Sequence, residues 1–381
     1  MNCSGINPAT NEEVAVSFGE LIDSVEPLLA PSNDSVYVAP GWIDIQVNGF
    51  GGVDYNSPTA NHESIAHSIR LLFSTGVTRF FPTVITGSPD DMSGALRNLA
   101  NAKEALAEGA AMEAFHVEGP YISPEDGPRG AHPRRWARPP DLDEFQRFQE
   151  AARGNIRLIT ISPDWPEAPR FIESVVRQGV VASIGHTGAS AEQIAAAVSA
   201  GATCSTHIGN GAHSTLSRHP NYIWEQLAED RLAASFIVDG IHLGKSFLSV
   251  ALRAKGSERA ILVTDAVMPA GCAPGPYKLG EVDVELHADG SVRMLGGTRL
   301  AGSALRMDHA IRNVMTMAGV SLRDALTMAS GNPARIGRIA GRRRGLNPGE
   351  RADLVRFRYD DATKEVQVLE TYLNGVRVFA G

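Results

Sequence analysis

Eight short runs of β-branched and apolar residues recur along this 381-residue chain, most of them followed by a stretch with helical spacing. They are Gly41–Val47, Val77–Thr83, Met112–Val117, Ile156–Ile161, Val180–Ile184, Ala202–Thr206, Ala233–Val238 and Ala260–Thr264. The runs are continuously apolar rather than alternating, as strands covered on both faces must be, and a parallel sheet packed under helices supplies that cover. Helix-like segments His62–Ser74, Ser88–Ala107, Ala168–Gln178 and Ala191–Ala200 fall between them, with Gly179 and Gly201 placed as C-terminal stops. Eight strand–helix units predict an α/β protein whose parallel strands close into a (β/α)8 TIM-type barrel over residues 41–344. An open doubly wound sheet uses the same units, so the polar residues must decide between them. Gln46, Asn48, Glu118, His186, His207, His242 and Asp265 all stand at or just past predicted strand ends. A closed barrel gathers those ends on one face, whereas an open sheet strings them along an edge.

The two ends of the chain follow another pattern. Residues 1–40 are punctuated by Pro and Asn, and residues 345–381 contain "RADLVRF", "VQVLETYL" and "VRVFAG", three strand-like runs parted by turns. These terminal segments are expected to pair into a small β-sandwich domain beside the barrel. The formal charge of −8 is scattered, with no long basic run, which excludes a nucleic-acid surface or an anionic membrane as partner. Cys3, Cys204 and Cys272 are far apart and odd in number, which predicts neither a disulfide framework nor a thiolate zinc site. With no signal-peptide pattern and no membrane-length apolar stretch, a soluble cytoplasmic protein is expected.

Three of the strand-end residues form a ligand set. Glu118 in "HVEGPY", His186 in "IGHTG" and His207 in "STHIGNG" supply one carboxylate and two imidazoles, a known composition for a catalytic divalent ion with an open position. Such an ion acidifies bound water and polarises a carbonyl. Asp265, ending "AILVTD", is placed to move a proton between water and a leaving group; the bland alternative is a helix-capping Asp. His242 in "VDGIHLG" can hydrogen-bond a substrate or an oxyanion, or add a ligand, while Asp239 is either structural or undecided in role. His116, His132, His213, His219 and Arg218 are expected near strand-end loops, where they can make polar contacts. His62, His67, His287 and His309 read as ordinary helix, loop or surface residues. No dinucleotide or phosphate-loop fingerprint is present, so no organic cofactor is expected.

Taken together, "PGWIDIQVNGFGG", "HVEGPYISPEDGPRGAHP", "IGHTGAS", "THIGNG", "VDGIHL", "LVTDAVMPAG", "LAGSALRM" and "NPAR" resemble the N-acetylglucosamine-6-phosphate deacetylases of the amidohydrolase superfamily. The resemblance implies a barrel carrying a β-sandwich, and it implies Glu118, His186 and His207 as metal ligands with Asp265 as the catalytic aspartate. It further implies substrate contacts from His132, Asn210, Gly211 and His242. Arg218 corresponds to a phosphate-binding arginine that can come from a partner subunit, which implies a homodimer with shared sites. Where many superfamily members carry His-x-His for a second ion, this chain has Gln46-Val47-Asn48, and strand four ends in "LITISPD" without a lysine. One divalent ion is therefore implied, zinc first, with iron, cobalt or manganese as alternatives. After Arg218 the chain reads "HPNYIWEQLAED" where the family has Glu-Pro-Gly, a departure in the wall facing sugar and phosphate. The implied reaction releases acetate from N-acetylglucosamine 6-phosphate, a small amino-sugar phosphate. Another N-acylated sugar, a different amide, or a non-catalytic sugar-phosphate sensor are the competing readings.

Overall fold

Continuous apolar runs that cannot face water on either side do find cover on both. In the computed structural model, which describes residues 1–28, 35–279 and 282–381, eight strands form one parallel sheet. They are Trp42–Val47, Val77–Ile85, Phe115–Glu118, Ile156–Ile161, Val181–Ile184, Cys204–Ser205, Ala233–Ile237 and Ala260–Val263, hydrogen-bonded in chain order. The third strand begins later than its sequence suggests, because Met112 makes only a single bridge to Phe80. The ring closes between first and last strands through scattered backbone and side-chain bonds rather than a continuous ladder. Thr264 donates its hydroxyl to Asp44 Oδ2 at 2.5 Å, Asp265 N–H donates to Gln46 O at 3.0 Å, and Val47 bridges Ala266. Burial raises the Asp44 carboxyl to about 7, against the pull of its hydrogen bonds from Thr264 and Gln46.

Helices follow the strands in turn, and several begin where the sequence supplies a side-chain cap. Asn61, Ser88, Asp141, Ser190 and Asn221 accept N–H bonds at the starts of His62–Phe73, Pro89–Ala105, Leu142–Ala151, Ala191–Ser199 and Tyr222–Ala228. Ser190 forms a full capping box with Gln193. The helices bury one face against the sheet, so Phe80, Phe81, Phe115, Phe145, Phe148, Phe171 and Phe236 are all below 2 % exposed. Each such ring contributes about 1.5–3 kcal/mol of burial.

The terminal segments give one seven-stranded sheet. Asn2–Asn7, Glu12–Phe18, Ile22–Pro27 and Val36–Pro40 join Leu354–Tyr359, Val366–Leu373 and Val376–Ala380, with Val36–Pro40 lying antiparallel to Leu354–Tyr359. Val14, Val16, Phe18, Val38, Leu354 and Tyr372 make its own apolar cluster. One element was not foreseen. Between the last barrel strand and the helix Met307–Ala318, the strands Gly275–Leu279, Val282–Leu286, Ser291–Met294 and Leu300–Ser303 form a separate four-stranded antiparallel sheet. Its inner face, Val284, Leu286, Val292 and Ala301, packs on Val267 next to the barrel mouth. No helix among the described residues is long and apolar enough to cross a membrane.

Candidate active site

Strand ends place the polar groups, and the turns after them aim the side chains inward. His186, His207 and Asp265 each follow a barrel strand and each has a left-handed backbone, with φ of 51°, 27° and 49°. For a non-glycine residue that conformation costs on the order of 1–3 kcal/mol, and such strain concentrates where side-chain position matters more than local comfort. Nothing in the sequence signals it, since all three are ordinary L-residues. The glycines beside them are readable in retrospect. A Cβ on Gly211, itself at φ 54°, would lie 2.6 Å from His186 Nδ1, and one on Gly130 would lie 3.1 Å from His186 Cε1. Only glycine lets these two loops close on the imidazole.

The donors converge on one carboxylate oxygen. Glu118 Oε1 lies 2.9 Å from His186 Nε2 and 2.8 Å from His207 Nε2, all three residues being buried. Burial works against ionisation of Glu118, yet the two imidazoles hold its carboxyl well below the usual range. His186 Nδ1 lies 2.8 Å from Pro128 O, which can only accept, so that nitrogen carries a proton. In neutral His186 the Nε2 lone pair then points at carboxylate lone pairs, an arrangement that a cation between them satisfies. Among the described residues, His207 Nδ1 is buried without a partner. Glu118, His186 and His207 are, among the described residues, the group of His, Cys, Asp and Glu side chains whose ligand atoms lie close enough, within 4.8 Å, to hold a metal ion. The donor set fits one divalent ion.

Opposite the triad, Asp265 Oδ1 accepts from Asn48 Nδ2 at 2.6 Å and from Gln46 Nε2 at 3.1 Å. The two amides at the end of the first barrel strand thus anchor the aspartate. Asp265 Oδ2 has no hydrogen bond among the described residues and is open to the cavity. Burial, then the nearby Glu118 charge, push Asp265 up to about 6. Asp239, undecided from sequence, accepts from His242 Nδ1 at 2.5 Å and from the backbone N–H of Ile241 and His242, both at 2.8 Å. It fixes the ring of His242 and leaves Nε2 for the cavity.

Glu118, His186, His207, His242 and Asp265 line one cavity of about 560 Å³, together with Asn48, His132, Asn210 and Gly211. His132 packs its ring 4.4 Å from His186 and bonds Thr86 at 2.9 Å. Arg218 does not line it; with Trp224 and Phe247 it borders a separate shallow surface. His116, expected at a loop, is instead sealed within the third barrel strand, where its Nε2 lies 2.8 Å from the Thr160 hydroxyl. It lies inside the predicted run Met112–Val117, between the buried side chains of Phe115 and Val117, and so does not reach the loop. His213 contacts Tyr222 and Glu125 at the rim. Sequence reading missed Arg299, whose side chain reaches the cavity from the four-stranded sheet and bonds Gly130 O.

A barrel with two imidazoles, a carboxylate and an opposed aspartate at its C-terminal mouth is the arrangement of a metal-dependent amide hydrolase, and residues 37–378 match the amidohydrolase family, to which this chain belongs. Within that family it groups with the amino-sugar-phosphate deacetylases. It is 33% identical over 325 residues to N-acetylglucosamine-6-phosphate deacetylase of Bacillus subtilis, covering 84% of this chain and 80% of that one. It is 31% identical over 339 residues to N-acetylgalactosamine-6-phosphate deacetylase of Escherichia coli O157:H7, covering 88% of each. The solved structure of a mutant N-acetyl-D-glucosamine-6-phosphate deacetylase from Mycobacterium smegmatis, in complex with N-acetyl-D-glucosamine-6-phosphate, superposes with TM-score 0.89 at 28% identity, covering 100% of this chain and 99% of that one.

Proposed function

We propose that this protein hydrolyses the N-acetyl group of N-acetylglucosamine 6-phosphate, giving glucosamine 6-phosphate and acetate. The observation that carries the reading is the convergence of Glu118, His186 and His207 across one cavity from the unbonded oxygen of Asp265. Glu118, His186 and His207 would hold a single divalent ion, zinc first. When bound, such an ion acidifies water and polarises an amide carbonyl. Asp265 Oδ2 takes a proton from water as the water oxygen bonds to the acetyl carbon, while Oδ1 stays tied to Asn48 and Gln46. As the C–N bond breaks, the same oxygen returns the proton to the sugar nitrogen. His242, steadied by Asp239, faces the carbonyl oxygen with Nε2, which donates to it as charge develops there when the ring carries a proton on both nitrogens. His132, Asn210 and Gly211 form the wall that holds the sugar, which fixes the amide in attack geometry.

Arg218 fits a contribution in trans. It sits on a surface where Trp224 is 46% exposed beside Phe247, an apolar area that a second copy of the chain would cover in a homodimer. The three unpaired cysteines accord with a cytoplasmic enzyme. A second substrate, N-acetylgalactosamine 6-phosphate, is favoured by the similarity to the Escherichia coli protein. Acetate release over N-acetylglucosamine, N-acetylgalactosamine and their 6-phosphates, after reconstitution with zinc, decides between them. Turnover of none of the four sinks the proposal.

A further inference from the structure

A phosphorylated sugar brings a charge of about −1.5 to −2 into the cavity, and the cavity is already acidic. Glu118, Asp126 and Asp265 all line it. Among the described lining residues, Arg299 is the one Lys or Arg side chain. Arg129, from the facing loop, is turned away to Asp126 and to His132 O, and Arg218 borders a different surface.

Arg299 is held where an anion would meet it. It precedes the strand Leu300–Ser303, whose Leu300, Ala301 and Gly302 also line the cavity. That strand is fastened to the barrel, since Val267 N–H donates to Ser303 O at 3.0 Å and Ala266 bridges Ser303. One guanidinium nitrogen donates to Gly130 O, on the loop that packs against His186. Among the described residues no carboxylate lies within ion-pair distance of it. Among the described residues Gly130 O is the one hydrogen-bond acceptor its side chain meets, with the charge of Asp126 nearby, and a guanidinium with donors to spare binds phosphate oxygens in a two-pronged fashion.

Resting on the deacetylase reading above, we infer that Arg299 is the cation within the same subunit that recognises the phosphate of the substrate. It is a specificity residue supplied by the four-stranded sheet. It discriminates phosphorylated from unphosphorylated N-acetylhexosamines and takes no part in proton transfer.

The test compares the zinc-loaded wild type with Arg299→Ala and Arg299→Lys on N-acetylglucosamine 6-phosphate and on N-acetylglucosamine. In Arg299→Ala, kcat/KM for the phosphorylated sugar is expected to fall about 10- to 100-fold, mostly through KM, with little change for the plain sugar. Arg299→Lys is expected to recover part of the loss. Inorganic phosphate, used as a competitive inhibitor, is expected to weaken in the alanine variant by a similar factor. Equal losses on both sugars would overturn the inference, because they would mark Arg299 as a prop for the Gly130 loop. An undiminished phosphate preference would overturn it as well. A wild type that ignores the phosphate would instead remove the substrate reading, and the inference with it.

Discussion

Two clusters of charge are buried at opposite ends of this barrel, and they are built on opposite principles. At the base, Asp353 joins the terminal sheet to the barrel: Arg79 Nε donates to it at 2.8 Å, Arg342 Nη1 at 2.7 Å and the Asn374 backbone at 2.8 Å. Arg79 also reaches Asn374 Oδ1 and Ala110 O, both at 2.5 Å, and Arg342 bonds Gly41 O. Although burial opposes it, the two guanidinium groups hold Asp353 down at about 2. At the mouth, Glu118 and Asp265 repel one another, two imidazoles crowd one oxygen, and Asp265 is pushed up to about 6. The base is a finished network that stabilises; the mouth is left incomplete, as a site that takes up an ion would be. Burial of charge alone therefore does not identify a site. A failure of pairing inside a cavity does.

Four measurements break or sharpen this contrast. Asp265→Asn keeps an acceptor for Gln46 and Asn48 but removes the proton carrier. Turnover should drop on the order of 10³- to 10⁴-fold, a barrier increase of about 4–5.5 kcal/mol, with metal content and melting temperature unchanged or the latter raised. Near-normal turnover would take Asp265 out of the mechanism. Asp353→Ala should do the reverse, costing about 3–5 kcal/mol in urea unfolding by stranding two buried guanidinium groups. A loss under 1 kcal/mol would mean the base network is not what fastens the terminal sheet.

Stripping the ion with a chelator should cost roughly 2.7 kcal/mol relative to zinc at 100 times its dissociation constant, and Glu118→Gln should erase that difference. A melting temperature indifferent to zinc in the wild type would refute the ligand set. The smallest effect concerns acid. Asp353 has its folded pKa depressed to about 2 from an unfolded 3.8, so its stabilisation is complete above the unfolded value and drains as pH falls from about 4 toward 2. The loss is roughly 2 kcal/mol, read as a urea midpoint that falls in the wild type and stays flatter in Asp353→Asn. Parallel slopes in the two proteins would assign acid lability elsewhere.

Much of this was readable before any coordinates. Apolar runs marked the eight barrel strands, because a strand covered on both faces leaves no room for polar alternation, and Glu118, His186, His207 and Asp265 could be picked out by standing at their ends. The four-stranded sheet was not readable: its strands are short and half-exposed, with no fully buried residue in Gly275–Leu279, and they follow a segment that already ends the barrel. Arg299 was missed for the same reason, since a lone arginine in "GGTRLAGS" carries no mark of the loop it faces. His116 misled because a histidine near a predicted strand end looks like a loop residue until its ring is seen packed against Thr160.

Sequence by itself determined the repeating strand–helix alternation, the caps that start the helices and the residue types at the strand ends, because backbone periodicity and local hydrogen bonding depend on near neighbours. Tertiary structure alone decided which of those side chains meet. Glu118 and His207 are 89 positions apart, and Asp265 and Asn48 are 217. Their contact depends on closure of the ring and on left-handed turns at His186, His207 and Asp265 that only the packed barrel can hold in place.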